Sequence, residues 1–162
     1  MDAPLAAAAE RLVALCSAAG VTVCAAESCT GGLVGAAITS APGASAVFAG
    51  AVVSYSNAVK ERVLGVPAEV LRSDGAVSER CARAMAEGAR RLLGTDVSVS
   101  VTGIAGPGGG TPEKPAGLVH FAAASASGTV HDRAIFTGGR EEVRTKAAMH
   151  AIGMLLAAAA PA

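Results

Sequence analysis

The sequence predicts an α/β fold: a three-layer α/β/α domain built on a mixed, mostly parallel sheet of about five strands. Amphipathic helical segments alternate with short apolar segments over the first part of the chain, which favours parallel strands covered by helices on both faces. Two further apolar segments joined by Ser125-Ala126-Ser127-Gly128 predict an antiparallel hairpin. The 162 residues fit a single domain, 1–162, with its core over about 5–156.

The first half of the chain alternates helices with strands. Apolar residues at three- and four-residue spacing predict a helix over 5–19 that ends at Gly20, and the apolar run 21–26 predicts a buried strand. Further along the chain we expect a short helix over 33–39, a strand over 47–54, and a helix over 57–64 with Ser56 as its N-cap and Gly65 at its end.

The second half begins with a longer helix that Ser78 caps and that ends before Gly94. The remaining predicted elements are a strand over 96–101, hairpin strands over 118–124 and 129–136, and a last helix after Gly138-Gly139. The alanine-rich end, Ala157 to Ala162, is expected to be a frayed tail.

Composition and charge exclude several classes of protein. The 13 basic and 13 acidic side chains leave a net charge of zero, and one Tyr, three Phe and no Trp offer little for bases to stack on. We therefore expect no nucleic-acid partner. The apolar residues are mostly scattered alanines, so we expect no membrane segment. The N-terminus lacks the positive charge of a signal peptide, which favours a cytoplasmic location. Four cysteines without a Cys-x-x-Cys pair indicate buried, reduced thiols rather than a metal site.

Two chemically unusual loops follow predicted strands. Glu27-Ser28-Cys29-Thr30-Gly31-Gly32 comes after the first strand, and a glycine-rich stretch over 103–110 comes after the third. Ligands of open α/β sheets bind outside the carboxyl ends of the strands, so we expect the two loops to meet. Glycines there let backbone N–H groups approach an anion closely. Two tight surface turns are the alternative.

Ser28 is the candidate nucleophile of the first loop, and it needs a base. The nucleophile-elbow pattern G-x-S-x-G is absent, and position 31 is Gly, which excludes S-x-x-K. The chain contains ten Arg and three Lys, and of these two residue types only lysine can lose its proton and act as a base. Lys60 is the candidate partner, because it lies just after the strand that leads to Tyr55, whereas Lys114 and Lys146 lie in a loop and on the last helix. The alternatives are a solvated helix lysine for Lys60 and a half-buried core residue for the single Tyr55.

Arg140 lies at the start of the predicted last helix, where the helix dipole favours anions over cations. A bound phosphate would explain its position, and Arg144, four residues on, lies on the same helix face. Arginines paired with surface carboxylates are the alternative.

Four segments taken together resemble the CinA C-terminal domain family, whose characterised enzymes are nicotinamide-nucleotide amidases. They are residues 26–32 (AESCTGG), 53–57 (VSYSN) with Lys60, 75–78 (GAVS) and 99–109 (VSVTGIAGPGG), followed by 114–119 (KPAGLV) and Gly139-Arg140. The resemblance implies hydrolysis of the carboxamide of nicotinamide mononucleotide by Ser28 as nucleophile and Lys60 as base, with Tyr55 assisting. The substrate-binding residues it indicates are Glu27, Thr30, Gly31, Gly32, Asn57, Thr102, Gly103, Gly106, Gly108 and Arg140.

The same resemblance implies a reaction that needs no metal and no cofactor, and a small nucleotide as substrate. The alanine-rich helix faces permit close packing, from which we expect a homodimer. The oxyanion hole would come from the amides around Thr30 to Gly32 or from Thr102 and Gly103. Many relatives carry a larger N-terminal domain for which these 162 residues leave no room, so we expect a stand-alone deamidase. A non-catalytic nucleotide sensor and an amidase of another small amide are the alternative functions.

Overall fold

The computed structural model describes residues 1–162 and contains six helices, five strands and one 3₁₀ turn at Ala44–Ala46. The helices are α1 (Ala3–Ala19), α2 (Leu33–Ser40), α3 (Asn57–Leu64), α4 (Ala68–Ser73), α5 (Glu79–Leu93) and α6 (Arg140–Ala159). The strands are β1 (Val23–Glu27), β2 (Phe48–Val53), β3 (Val97–Gly103), β4 (Leu118–Ser125) and β5 (Gly128–Ile135).

The strands form one mixed sheet in the order β2-β1-β3-β4-β5. β1 runs parallel to both β2 and β3, whereas β4 is antiparallel to β3 and to β5. Helices α1, α2 and α6 contact one another on one face of the sheet, and on the other face α3 and α4 each contact α5. The predicted α/β class and five-stranded mixed sheet are confirmed.

Helices cover both faces of the sheet at β1, and all five residues of this strand are therefore buried. The main core lies between the sheet and the α1, α2 and α6 layer and includes Leu12, Ile38, Phe121 and Ile152. β5 is an edge strand, and its residues alternate between partly buried and exposed.

The β3 sequence is adapted to close packing against α5. Ser98 and Ser100 are fully buried, and their hydroxyls donate to the carbonyls of Ala86 and Ala82 at 2.6 Å each. A small hydroxyl side chain both permits this approach and satisfies its own polar atom.

The predicted N-caps of α3 and α5 and the predicted end of α5 are confirmed. Ser56 Oγ accepts the Val59 amide at the start of α3, and Ser78 Oγ accepts the Cys81 amide at the start of α5. Gly94 closes α5 in the left-handed conformation, with φ at 64°, which favours glycine over other residues.

Several elements begin or end one or two residues away from the predicted positions, and two parts of the structure differ by more. α4 was not predicted, because six residues are too few for helical periodicity to emerge. The frayed tail begins later than expected, since α6 continues through Ala159 and that residue is only 4% exposed. Its packing in the main core stabilises the last turn of the helix.

None of the helices combines the length and the apolar composition needed to cross a bilayer. All four cysteines are free and buried, as the sequence predicts.

Candidate active site

The two unusual loops meet at one edge of the sheet, as predicted. Ser28 immediately follows β1, and its amide donates to the carbonyl of Val101 in β3 at 2.9 Å. A cavity of about 280 Å³ opens here, close to the lower end of the roughly 300–1,000 Å³ of small-molecule sites. The predicted site residues that line it are Ser28, Tyr55, Asn57, Lys60, Thr102, Gly103, Gly106, Gly108 and Arg140.

Ser28 and Lys60 are in direct contact inside this cavity. Lys60 Nζ lies 2.9 Å from Ser28 Oγ, and the Lys60 residue is only 1% exposed. The same Nζ donates to the carbonyls of Ser54 at 2.7 Å and Tyr55 at 3.3 Å. The solvated-lysine alternative is therefore wrong.

Burial lowers the pKa of Lys60, against a smaller opposing influence of the thiols of Cys81 and Cys29. No carboxylate is among the hydrogen-bond partners of the amine. A neutral amine has two N–H groups and one lone pair, and the carbonyls of Ser54 and Tyr55 can take the two N–H groups. The lone pair is then left for the hydroxyl proton of Ser28, which is the arrangement that a general base requires.

The cavity wall also contains Cys29, the residue after Ser28. Burial raises the pKa of the Cys29 thiol to about 11, so the thiol stays protonated at neutral pH. Since the thiolate is the reactive form of cysteine, Cys29 is not suited to act as the nucleophile.

The three histidines do not line the cavity. His120 Nδ1 and His131 Nε2 contact each other at 2.9 Å across the β4–β5 hairpin, and His150 Nε2 contacts Asp132 at 2.9 Å. A Ser-His-Asp triad at Ser28 is thereby excluded. No three His, Cys, Asp or Glu side chains are grouped so that they could hold a metal ion.

Glu27 has a different place from the one predicted for it. Its fully buried carboxylate accepts the Thr30 hydroxyl at 2.7 Å and the amides of Gly32, Val34 and Gly35 at 2.8 to 3.0 Å. Glu27 thus holds the turn from Ser28 to the start of α2. The structure does not bring the predicted binding residues Glu27, Thr30, Gly31 and Gly32 to the cavity wall.

Two backbone N–H groups of this turn donate to no other residue. Gly31 N–H donates to the Ser28 carbonyl at 3.0 Å and Gly32 N–H donates to Glu27. The N–H groups of Cys29 and Thr30 donate to no other residue of the chain, and the Cys29 N–H has only its own thiol sulfur, a weak acceptor, as a partner. Of the amides predicted for an oxyanion hole near Ser28, these remain available.

The glycine-rich loop after β3 supplies a second set of free amides. Ala105, Gly106, Gly108 and Gly109 line the cavity, and none of their N–H groups donates to another group of the chain. Gly103, at the end of β3, packs so close to β4 that a Cβ atom there would lie 2.7 Å from the Leu118 carbonyl oxygen. A loop of this kind can bind an anionic group through its backbone.

Arg140 and Tyr55 contact each other at the cavity. Arg140 is the first residue of α6; its Nη1 donates to the Gly106 carbonyl at 3.1 Å and its Nη2 to the Tyr55 hydroxyl at 3.2 Å. Tyr55 is 62% exposed, so the core-residue alternative is wrong. Arg144 does not accompany Arg140: its guanidinium donates to the carbonyls of Cys29 and Thr30 instead.

Sequence reasoning gave no role to several residues of the cavity wall. Ala76 and Val77 belong to the segment 75–78, which carried the family resemblance, yet they lie between two helices with no polar side chain to draw attention. Thr102 fixes this segment, because its hydroxyl donates to the Ala76 carbonyl at 2.8 Å. The sequence signal for Ala76 and Val77 was their place in the segment 75–78, which resembles the family.

A sequence model of the CinA C-terminal domain matches residues 5–159. The chain belongs to the CinA C-terminal domain family. It is 56% identical over 146 residues to a CinA-like protein of Anaeromyxobacter sp. (strain K), an alignment covering 90% of this chain and 36% of that protein. It is 61% identical over 117 residues to a CinA-like protein of Parasynechococcus marenigrum, covering 72% and 28%. The chain therefore spans about a third of the length of these curated relatives.

Solved structures of the family have the same fold. The competence/damage inducible protein CihA from Agrobacterium tumefaciens superposes with a TM-score of 0.95 at 41% identity, covering 98% of this chain and 97% of that one. A CinA superfamily protein from Klebsiella pneumoniae gives 0.90 at 36% identity, covering 93% and 94%. The family resemblance stated from the sequence is thus confirmed.

Proposed function

We propose that the protein hydrolyses the carboxamide of nicotinamide mononucleotide to nicotinic acid mononucleotide and ammonia, a step in the salvage of pyridine nucleotides. The observation that carries this proposal is the 2.9 Å contact between the buried Lys60 amine and the Ser28 hydroxyl at the wall of a cavity. The family resemblance supports the substrate of this proposal, and the geometry of Ser28 and Lys60 supports its chemistry.

In the first half of the reaction, Ser28 Oγ attacks the carboxamide carbon while neutral Lys60 takes the hydroxyl proton. The carbonyl oxygen becomes an oxyanion, and the free amides of Cys29 and Thr30 can donate to it. The C–N bond then breaks, and Lys60 gives its proton to the departing nitrogen, which leaves as ammonia. An acyl ester on Ser28 remains.

In the second half, water attacks the ester carbon and Lys60 again takes a proton. The bond between Ser28 Oγ and the acyl carbon breaks, and the proton returns from Lys60 to Ser28. The product is the carboxylic acid, which loses its proton to the released ammonia or to water and leaves as the carboxylate, and the enzyme is back in its starting state. One lysine thus serves both half-reactions, because its lowered pKa makes the neutral amine accessible.

Recognition of the nucleotide phosphate has a candidate place at the same cavity. The Arg140 guanidinium lies beside Gly106, and the four loop amides at positions 105, 106, 108 and 109 donate to no other group of the chain. A cation next to free backbone N–H groups is the combination that binds phosphate. Asn57 and Thr102 add polar side chains to the cavity wall.

The test is ammonia release from nicotinamide mononucleotide by the purified protein, with a chelator present, beside the Ser28→Ala variant. We expect release that resists the chelator and is lost in the variant. Ser127→Ala, which removes an exposed hydroxyl of the β4–β5 turn away from the cavity, serves as the control and is expected to keep catalysis. Binding of the nucleotide by a folded protein without ammonia release would contradict the proposal and support a nucleotide sensor. An unchanged rate after removal of the substrate phosphate would favour an amidase of another small amide.

A further inference from the structure

We infer that Arg144 is a positioning residue for the proposed hydrolysis, holding the Ser28 turn in the shape that leaves two backbone N–H groups free next to the nucleophile. The inference rests on the proposed function for its reaction. The Arg144 side chain does not line the cavity, and the proposed mechanism gives it no role.

Arg144 contacts the carbonyl side of the turn. Its Nε donates to the Cys29 carbonyl at 3.2 Å and its Nη2 to the Thr30 carbonyl at 2.9 Å. The remaining partner is Glu141, whose exposed carboxylate lies 3.5 Å from Nη1. Two nitrogens of one planar guanidinium thus hold two consecutive carbonyl groups.

Fixing a carbonyl also fixes the next amide. In a trans peptide the C=O and the following N–H point in opposite directions, and the peptides of this turn are trans. Because the Cys29 carbonyl faces Arg144, the Thr30 N–H faces away from it. The Thr30 carbonyl likewise turns the Gly31 N–H away from Arg144, and that N–H donates to the Ser28 carbonyl.

Glu27 acts on the other end of the turn. Its carboxylate takes the amides of Gly32, Val34 and Gly35, so the turn is held by an anion on its amide side and by a cation on its carbonyl side. The N–H groups of Cys29 and Thr30 are the ones that neither partner occupies. An oxyanion forming on a carbon bonded to Ser28 Oγ needs donors that are already oriented.

The Arg144 side chain packs closely against the turn at Gly31. A Cβ atom at Gly31 would lie 3.3 Å from Arg144 Nη2. Gly31 also has a φ of 58°, a conformation that is unfavourable for residues with a side chain. Lysine cannot reproduce the contact, because its single ammonium lacks the planar fork that reaches both carbonyls.

The experiment compares Arg144→Ala and Arg144→Lys with two controls on the same helix. Lys146→Gln removes a nearby cation that also donates to a backbone carbonyl, that of Thr137, away from the cavity. Glu141→Gln removes only the surface ion pair of Arg144. For each protein we measure kcat and KM for ammonia release, and the rate at which a fluorophosphonate labels Ser28, read by mass spectrometry. Circular dichroism reports whether each variant is folded.

We expect Arg144→Ala to lower kcat and the labelling rate by about 10- to 100-fold, less than the 10² to 10³ that loss of a direct oxyanion donor costs. KM should stay within about twofold, both controls should resemble the wild type, and Arg144→Lys should recover only part of the loss. Guanidinium at a non-denaturing concentration should partly restore Arg144→Ala, a response that a merely structural role would not give.

The other outcomes separate the two proposals. Labelling that depends on Arg144 without any ammonia release would leave the positioning role intact and overturn the proposed substrate. Ammonia release with kcat unaffected in folded Arg144→Ala, or a raised KM at unchanged kcat, would overturn the positioning role alone. A folded wild type whose Ser28 is not labelled would overturn the positioning role together with the assignment of the nucleophile.

Discussion

The Nζ atom of Lys60 lies 2.9 Å from Oγ of Ser28, although 32 positions separate the two residues in the chain. Ser28 follows β1, and Lys60 extends from α3 so that its amine also donates to the carbonyls of Ser54 and Tyr55. A lysine held in this way, without a carboxylate, has its charged form disfavoured by burial.

The first prediction concerns the pH dependence of the reaction. Burial lowers the pKa of Lys60, and only the neutral amine can accept the Ser28 proton. The kcat/KM for ammonia release should therefore rise with pH, with a midpoint below the ordinary lysine value of about 10.4. The measurement is kcat/KM from pH 6 to pH 10, with protein stability monitored at each pH. A rate independent of pH, or a midpoint at the ordinary value, would contradict the role of Lys60 as base.

A second prediction concerns Lys60→Arg. The guanidinium keeps the positive charge but does not release its proton, so the variant lacks a base. We expect kcat to fall by about 10² to 10⁴, the usual contribution of general acid–base catalysis. Steady-state kinetics test this, with circular dichroism as the check on folding. A folded variant with full activity would show that Lys60 is only structural.

A third prediction concerns the buried carboxylate of Glu27. Glu27→Gln replaces one acceptor oxygen by an amide nitrogen that faces backbone N–H groups, so at least one hydrogen bond is lost and a buried donor is left unpaired. We expect the free energy of unfolding to fall by about 2 to 4 kcal/mol. Urea denaturation measures this loss, and Glu10→Gln at an exposed site of α1 serves as the control, with a change of about 0.5 kcal/mol or less. Equal stability of the two variants would show that Glu27 does not hold the turn.

A fourth prediction concerns Tyr55→Phe, which removes the hydroxyl that accepts from Arg140. Because Tyr55 is largely exposed, the melting temperature should hardly change. We expect kcat/KM to fall by about tenfold, the equivalent of about 1.4 kcal/mol, since one of the two contacts that place Arg140 at the cavity is lost. A kcat/KM equal to that of the wild type would show that the Tyr55 hydroxyl has no role in the reaction.

A fifth prediction concerns His120, away from the cavity. Burial, and then the charges of His131, Arg133 and Lys114, lower the pKa of His120 to about 4, while Glu79 has a smaller opposing effect. An unfolded histidine has a pKa near 6.5, so between these values the unfolded chain binds more protons and stability falls as the pH falls. We expect a loss of about 1 to 2 kcal/mol between pH 7 and pH 4.

Urea denaturation at several pH values, on the wild type and on His120→Gln, measures the His120 contribution as the difference between the two slopes. The variant should lose less stability on acidification. Parallel pH profiles would show that His120 titrates alike in the folded and unfolded chains.

Much of the secondary structure was predictable because its signals are local. Ser56 and Ser78 act as N-caps at the predicted positions, and Gly94 ends its helix as expected. The two errors have different causes: α4 is too short to show a helical period, whereas Ala159 is helical because of contacts with residues far away in the chain. Composition alone cannot show such contacts.

The sequence by itself determined the α/β class, the two loops at strand ends, and Ser28 with Lys60 as the pair that could carry chemistry, since residue type and strand order are read directly along the chain. Only the tertiary structure decided that Lys60 is buried against Ser28, that Glu27 and Arg144 hold the turn, and that Arg140 lies at the cavity with Tyr55. Arg140 and Arg144 look equivalent on a helix face. Their partners come from β-strand ends more than thirty residues away, and packing of the helix layers against the sheet selects which carbonyl each guanidinium reaches.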